Sequence, residues 1–315
     1  MNGFLKGGLI ATAIAIPIIL FWSDLEQMAD NNMLPVVSAS VNSDKEKDKN
    51  DKKEKKKKDE VAPSAHVQVI KKWELPSQLT EISGMAYISQ NQFACIQDEL
   101  GTIFIYNTAS QKIEREIPFG PPGDYEGIAI AGQTAYVVRA DGKLYEVANF
   151  MGSKPDVRQY NTPLTVKHDV EGLCYDPDNN RLLLAIKGKE PHTEDYKGIY
   201  GFDLTTKKMA SAPVYKIDLT HAIWNDIKEK KVSNIMQPSE IAIHPTTGDL
   251  YITDGANPKL LIMDTSGSPK ALHHLSKSDF KQPEGIAFTP GGELYISSEG
   301  GKGKGIIARV ALAAD

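Results

Sequence analysis

Cysteine is scarce in this chain of 315 residues: Cys95 and Cys174 stand 79 positions apart, each inside an apolar run, FAC and GLC. That spacing and setting exclude a disulfide scaffold and a CxxC redox or zinc motif, and read as two buried free thiols. Positive charge is not in surplus either. The net charge is -5, and residues 66–315 carry 26 Lys and Arg against 31 Asp and Glu, which excludes nucleic acid as a partner. The sequence also lacks G-x-S-x-G, H-E-x-x-H and a Gly-rich phosphate loop. GGKGKG at 300–305 precedes a strand pattern rather than a helix, so it reads as a hairpin turn.

Long apolar runs are almost absent, with one exception after Lys6, where Gly7 to Trp22 is uncharged. At 16 residues it is shorter than the roughly 20 of a full membrane span. Ser23, Asp24, Leu25, Glu26 and Gln27 follow it without an A-x-A-like cleavage site. An uncleaved anchor over 1–23 is therefore expected, with a cleaved signal as the alternative. Lys6 before the run and Asp24, Glu26 and Asp30 after it orient the short N-terminus inward. The expected placement is single-pass in the cell inner membrane, with the remainder periplasmic or otherwise extracytoplasmic. Residues 24–65 read as a disordered linker. Within it, residues 41–60 hold nine Lys against seven acids and offer no apolar surface to offset the entropy of ordering. That balance favours a solvated tether over a polybasic membrane-binding tract.

From residue 66 a unit of roughly 44 residues recurs, as in repeat architectures. It opens as ISGMAY (82–87), YEGIAI (125–130), VEGLCY (170–175), PSEIAI (238–243) and PEGIAF (283–288). The equivalent positions Gly84, Gly127, Gly172, Glu240 and Gly285 are spaced 43, 45, 68 and 45 apart. Each motif is followed by a turn such as HPTTGD or DPDNN, an apolar strand such as LYITD, a further Gly turn and a third strand. Short strands at a fixed period select an all-β propeller over a sandwich. The last unit has room for about three strands, so VQVIKKWEL at 67–75 is expected to supply the outer strand and close the ring. Five motifs predict five blades over 66–315. A sixth, degenerate blade is possible in the long interval, but an insertion at 188–237 with a helical turn at THAIWNDIKEKK is preferred. That insertion is expected to be the most mobile part of the domain. Tyr136, Tyr251 and Tyr295, heading second strands, should pack between blades.

In a propeller the first strand of each blade lines the channel, and the second runs back beside it. The residues before the motif position are Ser83, Glu126, Glu171, Ser239 and Glu284, so three carboxylates should converge at one mouth. Asp98, Arg139, Lys187, Asp254 and Glu299 end the second strands there. Two resolutions of the repulsion stand open. The glutamates bind a hard cation such as Ca²⁺ through oxygen ligands, or they cap turn amides and pair with Arg139 or Lys187. His168, His192, His221 and His244 are scattered through turns and the insertion and read as surface residues.

ISGMAY, QDELGTIFIY, YEGIAI with YVVRADGKLYEV, VEGLCYDPDNNRLLLAIKG, and PEGIAF with ELYISSE together resemble the SdiA-regulated family of bacterial propellers, distantly similar to NHL-repeat proteins. The resemblance implies a five-bladed, membrane-anchored, extracytoplasmic propeller with a calcium site drawn from Glu126, Glu171 and Glu284, and no established catalysis. PSEIAI departs from the pattern, with Ser239 at the acidic position and Glu240 in place of Gly. The function expected is a calcium-binding module that presents its mouth to a small-molecule or protein ligand. The alternative is a metal-dependent hydrolase of a lactone or phosphoester, with His192 or His221 as the base.

Overall fold

The computed structural model describes residues 67–312. The expected anchor at 1–23 and the expected linker at 24–65 lie outside the described residues. No helix among the described residues is long and apolar enough to cross a membrane.

Five antiparallel sheets account for the repeat. Blade 1 is β2 (Ile82–Ser89), β3 (Gln92–Gln97), β4 (Thr102–Asn107) and β5 (Lys112–Pro118). Blade 2 is β6 (Tyr125–Ala131), β7 (Thr134–Arg139), β8 (Leu144–Ala148) and β9 (Asp156–Tyr160). Blade 3 is β10 (Val170–Asp176), β11 (Arg181–Ile186), β12 (Tyr196–Asp203), β13 (Lys208–Met209) and β14 (Tyr215–Asp218). Blade 4 is β15 (Pro238–Ile243), β16 (Leu250–Asp254), β17 (Lys259–Met263) and β18 (Pro269–His274). Blade 5 joins β19 (Pro283–Phe288), β20 (Leu294–Ser298) and β21 (Ile306–Leu312) to β1 (Val67–Glu74), which pairs along β21 from Val67 with Leu312 to Glu74 with Ile306. The ring closes by joining the two ends of the described chain, as the sequence predicts, and the blades number five.

Each blade buries its faces against its two neighbours, giving one apolar cluster per interface. Ile103, Ile117, Tyr125 and Val137 join blades 1 and 2, for example, and Ile199, Trp224, Ile252 and Met263 join blades 3 and 4. Tyr295 lies 4.9 Å from Phe93 across the blade 5 to blade 1 interface, and Tyr251 lies 4.9 Å from Phe288 across the next. Tyr136 packs with Tyr200 and Phe202 between blades 2 and 3. Inner strands converge on the axis, which explains the motif glycines. A Cβ on Gly127 would come within 2.7 Å of the Glu171 carbonyl oxygen on the neighbouring inner strand.

The long interval differs from the expectation in extent and packing. β12 lies within 188–237, so the extra length is confined to residues 204–237. The outer strand of blade 3 is split into β13 and β14, both paired with β12. The helical turn expected at 220–231 is a single 3-10 turn, Ala222–Trp224, with a second at Val232–Asn234. Trp224 is 4% exposed, and its indole N–H donates to the Asp218 carbonyl at 2.7 Å. With Ile217, Leu219 and Met236 it extends the core between blades 3 and 4.

Candidate functional site: an acidic channel mouth

At the start of every inner strand the pairing register slips by one residue, between Ile82 and Gly84, Tyr125 and Gly127, Val170 and Gly172, Pro238 and Glu240, and Pro283 and Gly285. The residue left out of the ladder is Ser83, Glu126, Glu171, Ser239 or Glu284. A bulge leaves its extra residue unpaired and re-aims the side chain. Five equivalent bulges therefore set the same five residues apart at one end of the ring, three of them glutamates.

The glutamates have unequal partners. Glu171 Oε1 accepts from Lys187 Nζ at 2.5 Å, while its Oε2 is buried and accepts no hydrogen bond. Lys187 follows β11 directly, which confirms that second strands end at this mouth. Arg139, the other cation offered by the sequence, turns instead to Asp141 at 2.8 Å. Glu284 is 5% exposed, and its carboxylate lies where a side chain on Gly255 would intrude, 2.5 Å from an ideal Cβ. Ser239 donates to the Pro283 carbonyl at 2.6 Å and so ties blade 4 to blade 5. Asp254 is satisfied by Lys259 Nζ at 2.5 Å and by the N–H groups of Gln237 and Asn257.

Burial and mutual repulsion favour the neutral form of these acids. Burial, then the Glu171 and Asp124 carboxylates, push Glu126 up to about 9. Burial raises Glu284 to about 8, with Lys187 pulling the other way and Glu299 and Glu126 adding to the rise. Burial, then Glu284, hold Glu171 well above the usual range against the pull of Lys187. Glu299 reaches about 7 through burial and the charges of Asp98 and Glu81. Burial is the largest single influence on Lys187 and lowers it, but the carboxylates of Glu171, Glu284 and Asp169 together outweigh it and the net shift is upward.

Glu240 lies beneath this ring. It is 1% exposed, and its Oε1 accepts from the backbone N–H groups of Leu173 at 2.6 Å and Ile241 at 2.9 Å. It thereby bridges the inner strands of blades 3 and 4. Its Oε2 is buried without a hydrogen bond, and burial raises its carboxyl well above the ordinary range. Sequence reasoning missed a further tier of acids, Glu81, Asp124 and Asp169, whose charges reach Glu299, Glu126 and Glu171. The signal was present: the residue three before the motif position is Glu81, Asp124, Asp169, Gln237 or Gln282, an acid or its amide in every blade.

Among the described residues no three His, Cys, Asp or Glu side chains are grouped closely enough to hold a metal ion. The donor chemistry, all carboxylate oxygen with buried oxygens of Asp98, Glu171 and Glu240 lacking hydrogen bonds, fits a hard cation. To hold one, the carboxylates would have to draw together. Of the histidines, His221 accepts the Ile223 N–H through Nδ1, and His168 and His244 accept turn N–H groups likewise. Among the described residues no hydrogen bond or ion pair joins His192 or His221 to the three glutamates.

The ring is similar to that of the glutaminyl cyclase of Myxococcus xanthus, with a TM-score of 0.57 at 16% identity over 80% of this chain and 99% of that one. Virginiamycin B lyase from Staphylococcus aureus aligns with a TM-score of 0.41 at 15% identity, over 74% of this chain and 68% of that one. A protein of unknown function from Bacteroides thetaiotaomicron aligns at 0.47 and 13%, over 74% and 58%. At these identities the first likeness speaks for the fold alone. No curated protein matches the sequence. The SdiA-regulated family model matches residues 58–301. That match runs through all five blades and the five bulged motifs, and the chain belongs to the SdiA-regulated family.

Proposed function

We propose that this propeller is a non-catalytic binding module of the cell envelope that takes up a cation at its acidic mouth. The observation that carries the reading is the imbalance there. Glu126, Glu171 and Glu284 come from three blades, with Asp124, Asp169 and Glu299 in electrostatic reach, and Lys187 is the cation they share. The ion proposed is Ca²⁺, with Glu126, Glu171 and Glu284 as its carboxylate ligands, because calcium tolerates irregular oxygen coordination. It would neutralise the mouth and order a surface on which a small-molecule or protein ligand docks. Placement outside the membrane on the 1–23 anchor belongs to the same proposal and suits an ion that extracellular modules bind at about 10⁻⁴–10⁻³ M. Hydrolysis of a lactone or phosphoester is the competing reading. It needs a base beside the glutamates, and neither His192 nor His221 is bonded to them.

Thermal unfolding of the full chain tests the proposal. Calcium at about 100 times its dissociation constant should add about 2.7 kcal/mol, a rise of about 5–11 °C at the roughly 2–4 °C per kcal/mol typical of a domain of this size. A melting temperature identical in EDTA and in millimolar CaCl₂ would contradict it.

A further inference from the structure

Resting on that reading, we infer that Lys187 is the mouth's own tethered cation and determines which ions are admitted, because an incoming ion has to move its ammonium off Glu171. The ammonium sits 2.5 Å from Glu171 Oε1, and the charges of Glu284 and Asp169 also act on it. It holds one oxygen of Glu171, which like Glu284 is 5% exposed, and leaves the other, Oε2, without a hydrogen bond.

The backbone around Lys187 is held by hydrogen bonds while its side chain reaches solvent. The N–H groups of Lys187, Gly188 and Lys189 donate to the carbonyls of Asp169, His168 and Lys167 at 2.8, 2.8 and 3.2 Å. Lys197, 2% exposed, spends its ammonium on the carbonyls of Lys187 and Gly188. The side chain of Lys187 is 30% exposed against 6% for that of Glu171. Displacement is therefore a rotation of one flexible stem toward solvent, with no movement of β11.

Charge sets the selectivity. A monovalent ion that displaces the ammonium replaces one positive charge with one, and the carboxylates gain nothing from the exchange. A divalent ion leaves the mouth one charge closer to neutrality. Lys187 thus screens out monovalent ions and weakens divalent uptake by the strength of its own ion pair.

The test is calorimetric titration of CaCl₂ into the EDTA-stripped full chain, as wild type, Lys187→Met and Lys187→Arg, with circular dichroism to confirm folding. Lys187→Met should bind about two- to fivefold more tightly, the effect of deleting one competing, partly exposed ion pair. Lys187→Arg should bind more weakly than wild type, because a guanidinium pairs with a carboxylate through two parallel bonds and is harder to displace. Should Lys187→Met not fold, the Arg variant decides. Equal or weaker binding by a folded Met variant, or unchanged binding by the Arg variant, overturns the inference. No uptake by any of the three overturns instead the cation reading on which it rests.

Discussion

Glu171 and Lys187, sixteen residues apart in sequence, form an ion pair at 2.5 Å because one is the bulge residue opening β10 and the other directly follows β11, its antiparallel neighbour. The pair meets one carboxylate of the mouth and leaves the others to burial and mutual repulsion. Their charge is then unfavourable in the fold, and the stability of the domain depends on pH as a result.

Without a bound cation, the domain should lose stability as pH rises from about 5.5 to 8. A carboxyl whose folded value is raised binds more protons in the folded state, so its contribution is complete below the ordinary carboxylate range and is lost as pH climbs through the folded value. Glu299 at about 7 and Glu284 at about 8 fall within or at the edge of this window. Burial lowers Lys197 to about 8, and it acts in the opposite sense above that pH, so the window ends there. Urea midpoints in EDTA should fall across the range, and Glu284→Gln should flatten the slope. A midpoint that rises with pH would count against the burial of these acids.

The close approach of inner strands makes Gly127 irreplaceable by even a methyl group. A Cβ there meets the Glu171 carbonyl oxygen and the Leu173 Cβ, each at 2.7 Å, and neither is the free end of a flexible chain. Gly127→Ala should cost about 1–3 kcal/mol, the usual range for overpacking, read as a lower urea midpoint with unchanged slope. A loss under about 0.5 kcal/mol, typical of an ordinary surface site, would show that blades 2 and 3 are not this close.

The ring itself was legible because its cause is local and repeated. Inner strands crowd the axis in every blade, so Gly84, Gly127, Gly172 and Gly285 mark the period, and the Trp73 strand pairs as predicted. The site was legible in part. The sequence placed Glu126, Glu171 and Glu284 at one mouth and offered Lys187 as a partner, and the structure adds the bulge that sets them apart from the ladder. A bulge depends on pairing register, which no residue type announces here, since the motif glycines have no left-handed φ. Glu240 was harder still. Its role comes from the backbone N–H of Leu173, which is 67 residues away in sequence and adjacent only once blades 3 and 4 pack side by side. The segment around Trp224 was legible only as a break in the period, because the core it joins through Ile217, Leu219 and Met236 forms between two blades.

The cation site is tested most directly by one titration, CaCl₂ into the metal-free full chain followed by calorimetry, repeated on Glu171→Gln. The prediction is saturable uptake of one ion per chain by the wild type, weakened by at least about tenfold in the variant, the equivalent of about 1.4 kcal/mol, with the fold intact. Absence of saturable heat from the wild type, or equal affinity in Glu171→Gln, would contradict a cation site at this mouth and leave Lys187 and protonation as the whole answer to its charge.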